Sequence, residues 1–177
     1  MRLFVAIPIP DEIRTPLLSI SSGIRGARWV RPEGMHITLF FAGEVDRAQA
    51  SDLDAELESV RMLPFDLECR SLGYFERGHR IKSVWAGIEP SEALIYLQER
   101  VESAAVRAGF QRETRKYKPH ITLARLKQGR AEDVGPWIGA HDPVQLPPFT
   151  VEAFTLYQSH LAREGAMYEP LVDYRLG

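Results

Sequence analysis

The chain has 177 residues, of which 45% are apolar and 26% charged, and its formal net charge is -2 at pH 7. This composition is ordinary for one globular domain and gives no overall attraction to nucleic acid, so any binding of a polyanion must come from local charge. Cys69 is the only cysteine, which excludes a disulfide framework, and no segment approaches the length of an apolar membrane span. We therefore expect a cytoplasmic, monomeric protein.

Hydrophobic periodicity predicts strands and helices in alternation through the first half of the chain. The predicted strands are 2–9, 27–30, 35–43, 65–75 and 82–89, the last two joined as a hairpin by a polar loop. One predicted helix, 12–22, has Asp11 as its cap, and a second, 46–60, turns Leu53, Leu57 and Val60 inward.

The second half repeats this arrangement. Ser91 caps a predicted helix that runs to about residue 108, where Gly109 ends it. A strand at 120–126 and a short helix near 131–139 follow, and a final hairpin pairs 149–161 with 167–176. This order predicts an α+β fold with antiparallel sheets, organised as one domain over 1–177 with two similar halves.

The tetrapeptide His-Ile-Thr-Leu occurs twice, at residues 36–39 and 120–123, which are 84 positions apart. Alternate residues of a strand face opposite ways, so His36 and Thr38 share one face, as do His120 and Thr122. Each strand then presents an imidazole and a hydroxyl about 6.5 Å apart. If the two halves are related by an approximate twofold axis, all four groups can converge on one cleft.

Two imidazoles across a cleft suit general acid–base catalysis, metal binding or an inert hydrogen-bonded pair. We favour the first, because a threonine beside each histidine can donate to an anionic oxygen. Neither copy has the carboxylate spacing of a metal-binding motif. His79, His141 and His160 lie in polar loops or at a strand end and are weaker candidates.

The surroundings of both copies suggest that the anion is a phosphate. Basic residues cluster before and after the motifs, with Trp29 and Tyr117 among them: Arg25, Arg28, Arg31, Arg77, Arg80, Lys82, Arg112, Arg115, Lys116, Lys118, Arg125 and Lys127. Cations beside aromatic rings suit phosphate contacts and base stacking. Without a phosphate-binding Gly-rich loop or a serine elbow, phosphoester chemistry by two histidines is the simplest hypothesis.

Two His-x-Thr-x motifs on matched strands resemble the 2H phosphoesterase superfamily, and more closely its RNA 2′,3′-cyclic phosphodiesterases, also called 2′-5′ RNA ligases. The segments "RWVRPEGMHITLFFAGEV", "VWAGI", "KPHITLAR" and "LYQSHLAREGAMYEPL" carry the resemblance, which covers nearly the whole chain. It implies a bilobal α+β fold, with two pseudo-symmetric lobes of antiparallel sheet and packed helices around a central cleft.

The resemblance also implies hydrolysis of a terminal 2′,3′-cyclic phosphate to a 2′-phosphate without metal or other cofactor, with reversible, ATP-independent ligation as a second activity. His36 matches the proton donor and His120 the proton acceptor, while Thr38 and Thr122 match the phosphate-binding hydroxyls. Arg125 matches a phosphate-contacting arginine, although simple alternation turns it away from His120, so that role requires a bulge or a long reach. The implied partners are RNA ends with a cyclic phosphate, tRNA halves among them.

One position departs from the pattern of the relatives. They often carry a basic residue where this chain has Phe40, which simple alternation places on the face of Thr38 and which could stack on a nucleobase or ribose. Two other functions stay open: a non-catalytic module that binds RNA ends, and a phosphodiesterase for a small cyclic phosphate such as ADP-ribose 1″,2″-cyclic phosphate.

Overall fold

The computed structural model describes all residues from Met1 to Gly177. The strands are β1 (Arg2–Pro8), β2 (Arg28–Trp29), β3 (His36–Glu44), β4 (Phe65–Leu67), β5 (Cys69–Arg77), β6 (Arg80–Ile88), β7 (His120–Gly129), β8 (Phe149–Val151), β9 (Ala153–Ala162) and β10 (Gly165–Arg175). The helices are α1 (Asp11–Ser19), α2 (Arg47–Leu57), α3 (Glu92–Arg107) and α4 (Ala131–His141), with a 3₁₀ turn at Pro32–Gly34. None of these helices combines the length and the apolarity needed to cross a bilayer.

One antiparallel sheet organises the molecule. Its strand order is β10-β9-β1-β3-β7-β6-β5, with β2 also paired to β7. The strands that carry the two His-Ile-Thr-Leu motifs, β3 and β7, are therefore neighbours at the centre, where Ile37 pairs with Ile121. The α+β class with antiparallel sheets is confirmed. Strands β3 and β7 meet at this single residue pair, and each side of the sheet combines strands from both halves of the chain.

The helices cover the sheet and bury apolar stripes at helical spacing. Helix α3 packs on β3 and α2, and α4 packs on β5 and β6. The inward residues predicted for α2 and α3 are all buried: Leu53, Leu57, Val60, Leu94, Leu97, Val101 and Ala105. Ser91 caps α3 by accepting a hydrogen bond from the Leu94 amide, and Gly109 after the helix has φ +97°.

Two local predictions were wrong. Helix α1 has Pro10 at its N-cap with no side-chain cap, and Asp11 is its first residue, where it pairs with Arg14. The predicted strands 65–75 and 149–161 are each divided, because β4 and β8 form a separate two-stranded sheet. The chain leaves this small sheet at Glu68, whose carbonyl accepts a hydrogen bond from the Glu89 amide, and enters the main sheet at Cys69.

Candidate active site

The two motifs present their polar residues on the same face of the central sheet. Ile37 and Ile121 pair with each other and are fully buried on the core side. Their neighbours His36, Thr38, His120 and Thr122 therefore project from the opposite face, where all four are partly exposed. Continuing the antiparallel register places His36 opposite Thr122 and Thr38 opposite His120. A local twofold axis through the isoleucine pair thus relates the two motifs.

The imidazole of His36 is held in one orientation. Its Nδ1–H donates to the Gly34 carbonyl at 2.8 Å, and its Nε2 accepts from the Thr38 hydroxyl at 3.1 Å. The rings of Phe4 and Tyr168 lie 4.9 Å and 5.2 Å from its centroid. This packing fixes the neutral tautomer with the proton on Nδ1.

The same environment disfavours a charge on His36. Its pKa is lowered from 6.5 to about 4, chiefly because burial penalises the imidazolium. The Gly34 carbonyl acts in the opposite direction, and the charges of Arg125 and His120 lower the pKa again. His36 is therefore uncharged near neutral pH.

The imidazole of His120 has a matching arrangement with one difference. Its Nδ1–H donates to the Lys118 carbonyl at 2.6 Å, but its Nε2 has no partner within the protein. The ring packs edge-on against Phe75 at 4.9 Å and lies 6.1 Å from Trp85. Burial lowers the pKa of His120, the Lys118 carbonyl opposes that shift, and the Arg125 charge adds to it. The Nε2 lone pair is thus available to accept a proton.

A β-bulge in β7 brings Arg125 to the same face. Trp85 pairs with Thr122 while Val84 pairs with Ala124, so Leu123 is an extra residue in the strand. Leu123 and Ala124 both point into the core, with no exposed surface, and Arg125 is exposed. The bulge that its role requires is therefore present. The charge of Arg125 also acts on both histidines.

A matching bulge in β3 contradicts the expectation for Phe40. Ala6 pairs with Thr38 while Val5 pairs with Phe40, so Leu39 is the extra residue. Phe40 is only 7% exposed and packs edge-on against Phe110 in the core. Phe40 is therefore a core residue and does not line the cleft. Phe41, which is 53% exposed, takes the place on the motif face instead.

A cleft of about 410 Å³ opens in front of this face. It is lined by Arg2, Phe4, His36, Thr38, Phe41, Arg125, Ser159, Leu161, Ala166 and Tyr168. Two arginines thus face an apolar and aromatic wall. His120 and Thr122 are not among the lining residues, and the register places them at its margin on β7.

Comparison with known proteins shows which family has this pair of motifs and this fold. The family model described as the 2′-5′ RNA ligase superfamily matches residues 10–163. The chain belongs to this superfamily. The RNA 2′,3′-cyclic phosphodiesterase of Thermotoga maritima is 33% identical to it, over 98% of this chain and 94% of the relative.

Solved structures of LigT from Escherichia coli have the same fold. The apo form matches with a TM-score of 0.80 at 31% identity, over 99% of this chain and 96% of LigT. The complex of LigT with 3′-AMP matches with a TM-score of 0.79 at 30% identity and the same coverage. Both lobes of this superfamily member therefore have counterparts in LigT.

Sequence reasoning missed several residues at the superfamily cleft. Phe41 stands five positions after His36, as Arg125 stands five after His120, and this equal spacing is the signal that could have identified it. Arg2 lies over the Phe41 ring, with its guanidinium carbon 5.2 Å from the centroid. Nothing in the sequence links Arg2 or Tyr168 to the motifs. Only sheet pairing brings β1 beside β3 and joins β10 to the same side of the sheet, where the Tyr168 ring contacts His36.

Several other basic residues and histidines considered in the sequence do not line the catalytic cleft. Arg112 is paired with Glu102 and Arg115 with Glu113, so this part of the basic stretch is engaged within the protein. Among the remaining histidines, His79 is exposed in the β5–β6 turn, His141 packs on Trp137, and His160 bonds to Glu169. No His, Cys, Asp or Glu side chains group in threes as a metal site would require.

Proposed function

We propose that this protein is an RNA 2′,3′-cyclic phosphodiesterase, a hydrolase that opens a terminal 2′,3′-cyclic phosphate to a 2′-phosphate. The observation that carries the proposal is the twofold-related pair of histidine–threonine motifs on one sheet face, with Arg125 beside them. The names of full-length relatives support the substrate class, and the complex of LigT with 3′-AMP supports a nucleotide in the cleft.

In this proposal His120 is the general base. Its Nδ1–H is held by the Lys118 carbonyl, and its free Nε2 takes a proton from a water molecule as the water oxygen attacks phosphorus. The lowered pKa of His120 keeps the imidazole neutral, and so able to accept, near pH 7. In the antiparallel register of β3 and β7, Thr38 lies opposite His120.

His36 is the general acid and gives its Nε2 proton to the 3′-oxygen as the P–O3′ bond breaks. In the empty cleft it is neutral, with a pKa of about 4. A phosphodiester carries a negative charge, which favours the imidazolium and raises this pKa when substrate binds. The Thr38 hydroxyl, which donates to His36 Nε2 in the empty cleft, is then free to donate to a phosphate oxygen.

Thr38, Thr122 and Arg125 stabilise the charge that develops on the phosphorane oxygens. Preorganised donors around a developing anion typically contribute factors of about 10² to 10³ each. Phe41 replaces Phe40 as the residue that stacks on the terminal base or ribose, with Arg2 behind its ring. A 5′-hydroxyl in place of the water would give a 2′-5′ linkage with the same acid and base.

We further propose that the enzyme is a monomer that acts on RNA ends in the cytoplasm, with tRNA halves among its substrates. The decisive assay uses an RNA oligonucleotide ending in 2′,3′-cyclic phosphate, incubated in a metal chelator. We expect a 2′-phosphate product, identified by its mobility against 2′- and 3′-phosphate standards. Activity that requires an added divalent metal would contradict the mechanism.

Single replacements test the two histidines. We expect His36→Ala and His120→Ala each to lower kcat by about 10² to 10⁴, because each removes one proton transfer. His79→Ala, at an exposed histidine in the β5–β6 turn, is the matched control and should retain the wild-type rate. A rate within a few-fold of wild type for either motif variant, with folding verified by circular dichroism, would refute the acid–base assignment.

A further inference from the structure

A second and larger cavity opens beside the catalytic cleft. It has a volume of about 610 Å³ and lies between the β2 segment, the second half of β7 and the start of α4. Its lining residues, which we call the basic groove, are Arg25, Gly26, Arg28, Arg125, Leu126, Lys127, Gln128, Gly129, Arg130, Glu132 and Asp133. Arg125 lines both the groove and the catalytic cleft, so the two are adjacent.

Four of the five cations of the groove lack acidic partners, although Glu132 and Asp133 also line it. Arg130 is paired with Glu132 at 3.2 Å, whereas Arg25, Arg28, Arg125 and Lys127 form no ion pair. The chain as a whole has a net charge of -2, so this concentration of positive charge is local. A surface of this kind attracts an anion that extends over several sites.

Two of these cations are placed directly against each other. Arg28 of β2 pairs with Arg125 of β7 across the sheet. Like charges in directly opposite positions of an antiparallel pair destabilise the sheet. Trp29, the neighbour of Arg28, packs against the core with its ring tilted toward that of Trp137 at a centroid distance of 5.7 Å, and this packing favours the observed register of β2. A bound phosphate between the two guanidinium groups would remove the repulsion.

The groove also has a direction. Past the bulge, Arg125 and Lys127 alternate with buried Leu126, so they lie on one face about 6.5 Å apart along β7. Arg25 and Arg28 border the same cavity from the other side. The cations thus form a track that starts at the catalytic cleft and leads away from His36.

We propose that the basic groove binds the sugar–phosphate backbone of the RNA strand whose cyclic end occupies the catalytic cleft. This inference rests on the proposed function and deepens it, because it makes the preferred substrate a polymer of several nucleotides. A cyclic mononucleotide or another small cyclic phosphate reaches only Arg125. A longer strand also engages Arg25, Arg28 and Lys127.

The test compares a groove variant with a control of equal charge. The groove variant is Arg25→Ala/Arg28→Ala/Lys127→Ala. The control, Arg47→Ala/Arg100→Ala/Arg175→Ala, removes three exposed cations that line neither the basic groove nor the catalytic cleft. The substrates are an RNA decamer with a 2′,3′-cyclic phosphate and uridine 2′,3′-cyclic phosphate, assayed over a range of sodium chloride concentrations.

We expect the wild-type preference for the decamer, expressed as the ratio of the two kcat/KM values, to fall at least tenfold in the groove variant. The slope of log kcat/KM against log salt for the decamer should become shallower by about 2, since each lost contact to a single strand contributes about 0.7. The control should retain both values. An unchanged ratio and slope in the groove variant would overturn the proposal.

A binding measurement separates this inference from the proposed function. If the wild-type protein cleaves neither substrate, the proposed function fails, and fluorescence anisotropy with a decamer ending in a 3′-phosphate then tests the groove alone. Affinity that is at least tenfold weaker in the groove variant, but not in the control, would still support an RNA-backbone site. Equal affinity in all three proteins would overturn it.

Discussion

At the scale of single residues, the neighbouring phenylalanines Phe40 and Phe41 have different functions: Phe40 packs in the core, and Phe41 is available to contact the substrate. Phe40 is buried against Phe110, while Phe41 stands on the motif face with Arg2 over its ring. Adjacent residues of the same type thus have different environments, and their truncation should have different consequences.

We predict that Phe41→Ala raises KM for a cyclic nucleotide roughly tenfold, because stacking of a base on an aromatic ring contributes about 1–3 kcal/mol. Its free energy of unfolding should change little, since half of the side chain is already exposed. Phe40→Ala should instead lower the free energy of unfolding by about 3–5 kcal/mol through loss of core contacts.

Steady-state kinetics and urea denaturation of both variants check this prediction. Each variant serves as the control for the other, because the same ring is removed one position away. The assignment of Phe41 to the substrate would be wrong if KM rose only in the Phe40 variant.

At the scale of the elements, the paired bulges in β3 and β7 decide which residues reach the cleft. In each motif strand an extra residue, Leu39 or Leu123, stands directly after the threonine. The bulge reverses the alternation, so that the fifth residue after each histidine, Phe41 or Arg125, returns to the motif face. The local twofold symmetry of the backbone thereby places an aromatic ring on one side and a guanidinium on the other.

Exchanging two neighbouring residues tests the bulge in β7. We predict that Arg125→Ala lowers kcat/KM by about 10² to 10³, through loss of charge stabilisation at the phosphate. The double variant Ala124→Arg/Arg125→Ala restores the arginine at the position that simple alternation would favour. Because residue 124 has no exposed surface, it should not recover activity and should lose several kcal/mol of stability to a buried charge.

Kinetics together with thermal unfolding of the two variants provide the measurement. Serine at position 125 is a useful further control, because Arg125→Ser keeps a polar group at the exposed site and should be as stable as the wild type. Recovery of activity in the double variant would mean that β7 runs without a bulge.

Much of this architecture is predictable from residue patterns. The apolar periodicity of α2 and α3, the cap at Ser91 and the alternation around His36 and His120 are local properties, and the structure has them as expected. The bulges are not local properties. Both Leu39 and Leu123 are ordinary strand residues, and the extra residue follows from how β1 and β6 pair with the motif strands.

The same reasoning applies to the residues that the sequence could not supply. Arg2 and Tyr168 lie on strands that are distant in sequence from the motifs, β1 and β10, and β4 and β8 pair over a long sequence separation. Such contacts depend on tertiary pairing, which overrides local preference. The start of α1 was also mispredicted. Aspartate is a common N-cap residue, but here Pro10 occupies the N-cap and Asp11 is the first helical residue.

At the scale of the whole molecule, the two sides of the main sheet, β10-β9-β1-β3 and β7-β6-β5, are joined at the Ile37–Ile121 pair, and the motif histidines flank this junction. Both have lowered pKa values, chiefly through burial. The site is therefore linked to the stability of the fold, because an empty cleft must hold two imidazoles in their neutral form.

This linkage has a definite sign. The pKa of His36 is about 4 in the folded protein, against about 6.5 in an unfolded chain. Between these values the unfolded state binds more protons, so the stability that His36 contributes is complete above about pH 6.5 and is lost as the pH falls toward 4. At pH 4 the loss amounts to about 3 kcal/mol.

We predict that His36→Gln, which cannot titrate, removes this part of the pH dependence. The difference in free energy of unfolding between wild type and variant, measured by urea denaturation, should shift by about 3 kcal/mol in favour of the variant between pH 7 and pH 4. Carboxylates contribute equally to both proteins and cancel in the difference. A constant difference between wild type and His36→Gln would show that the folded site tolerates the charged ring, and His36 could then donate a proton without an anion to raise its pKa.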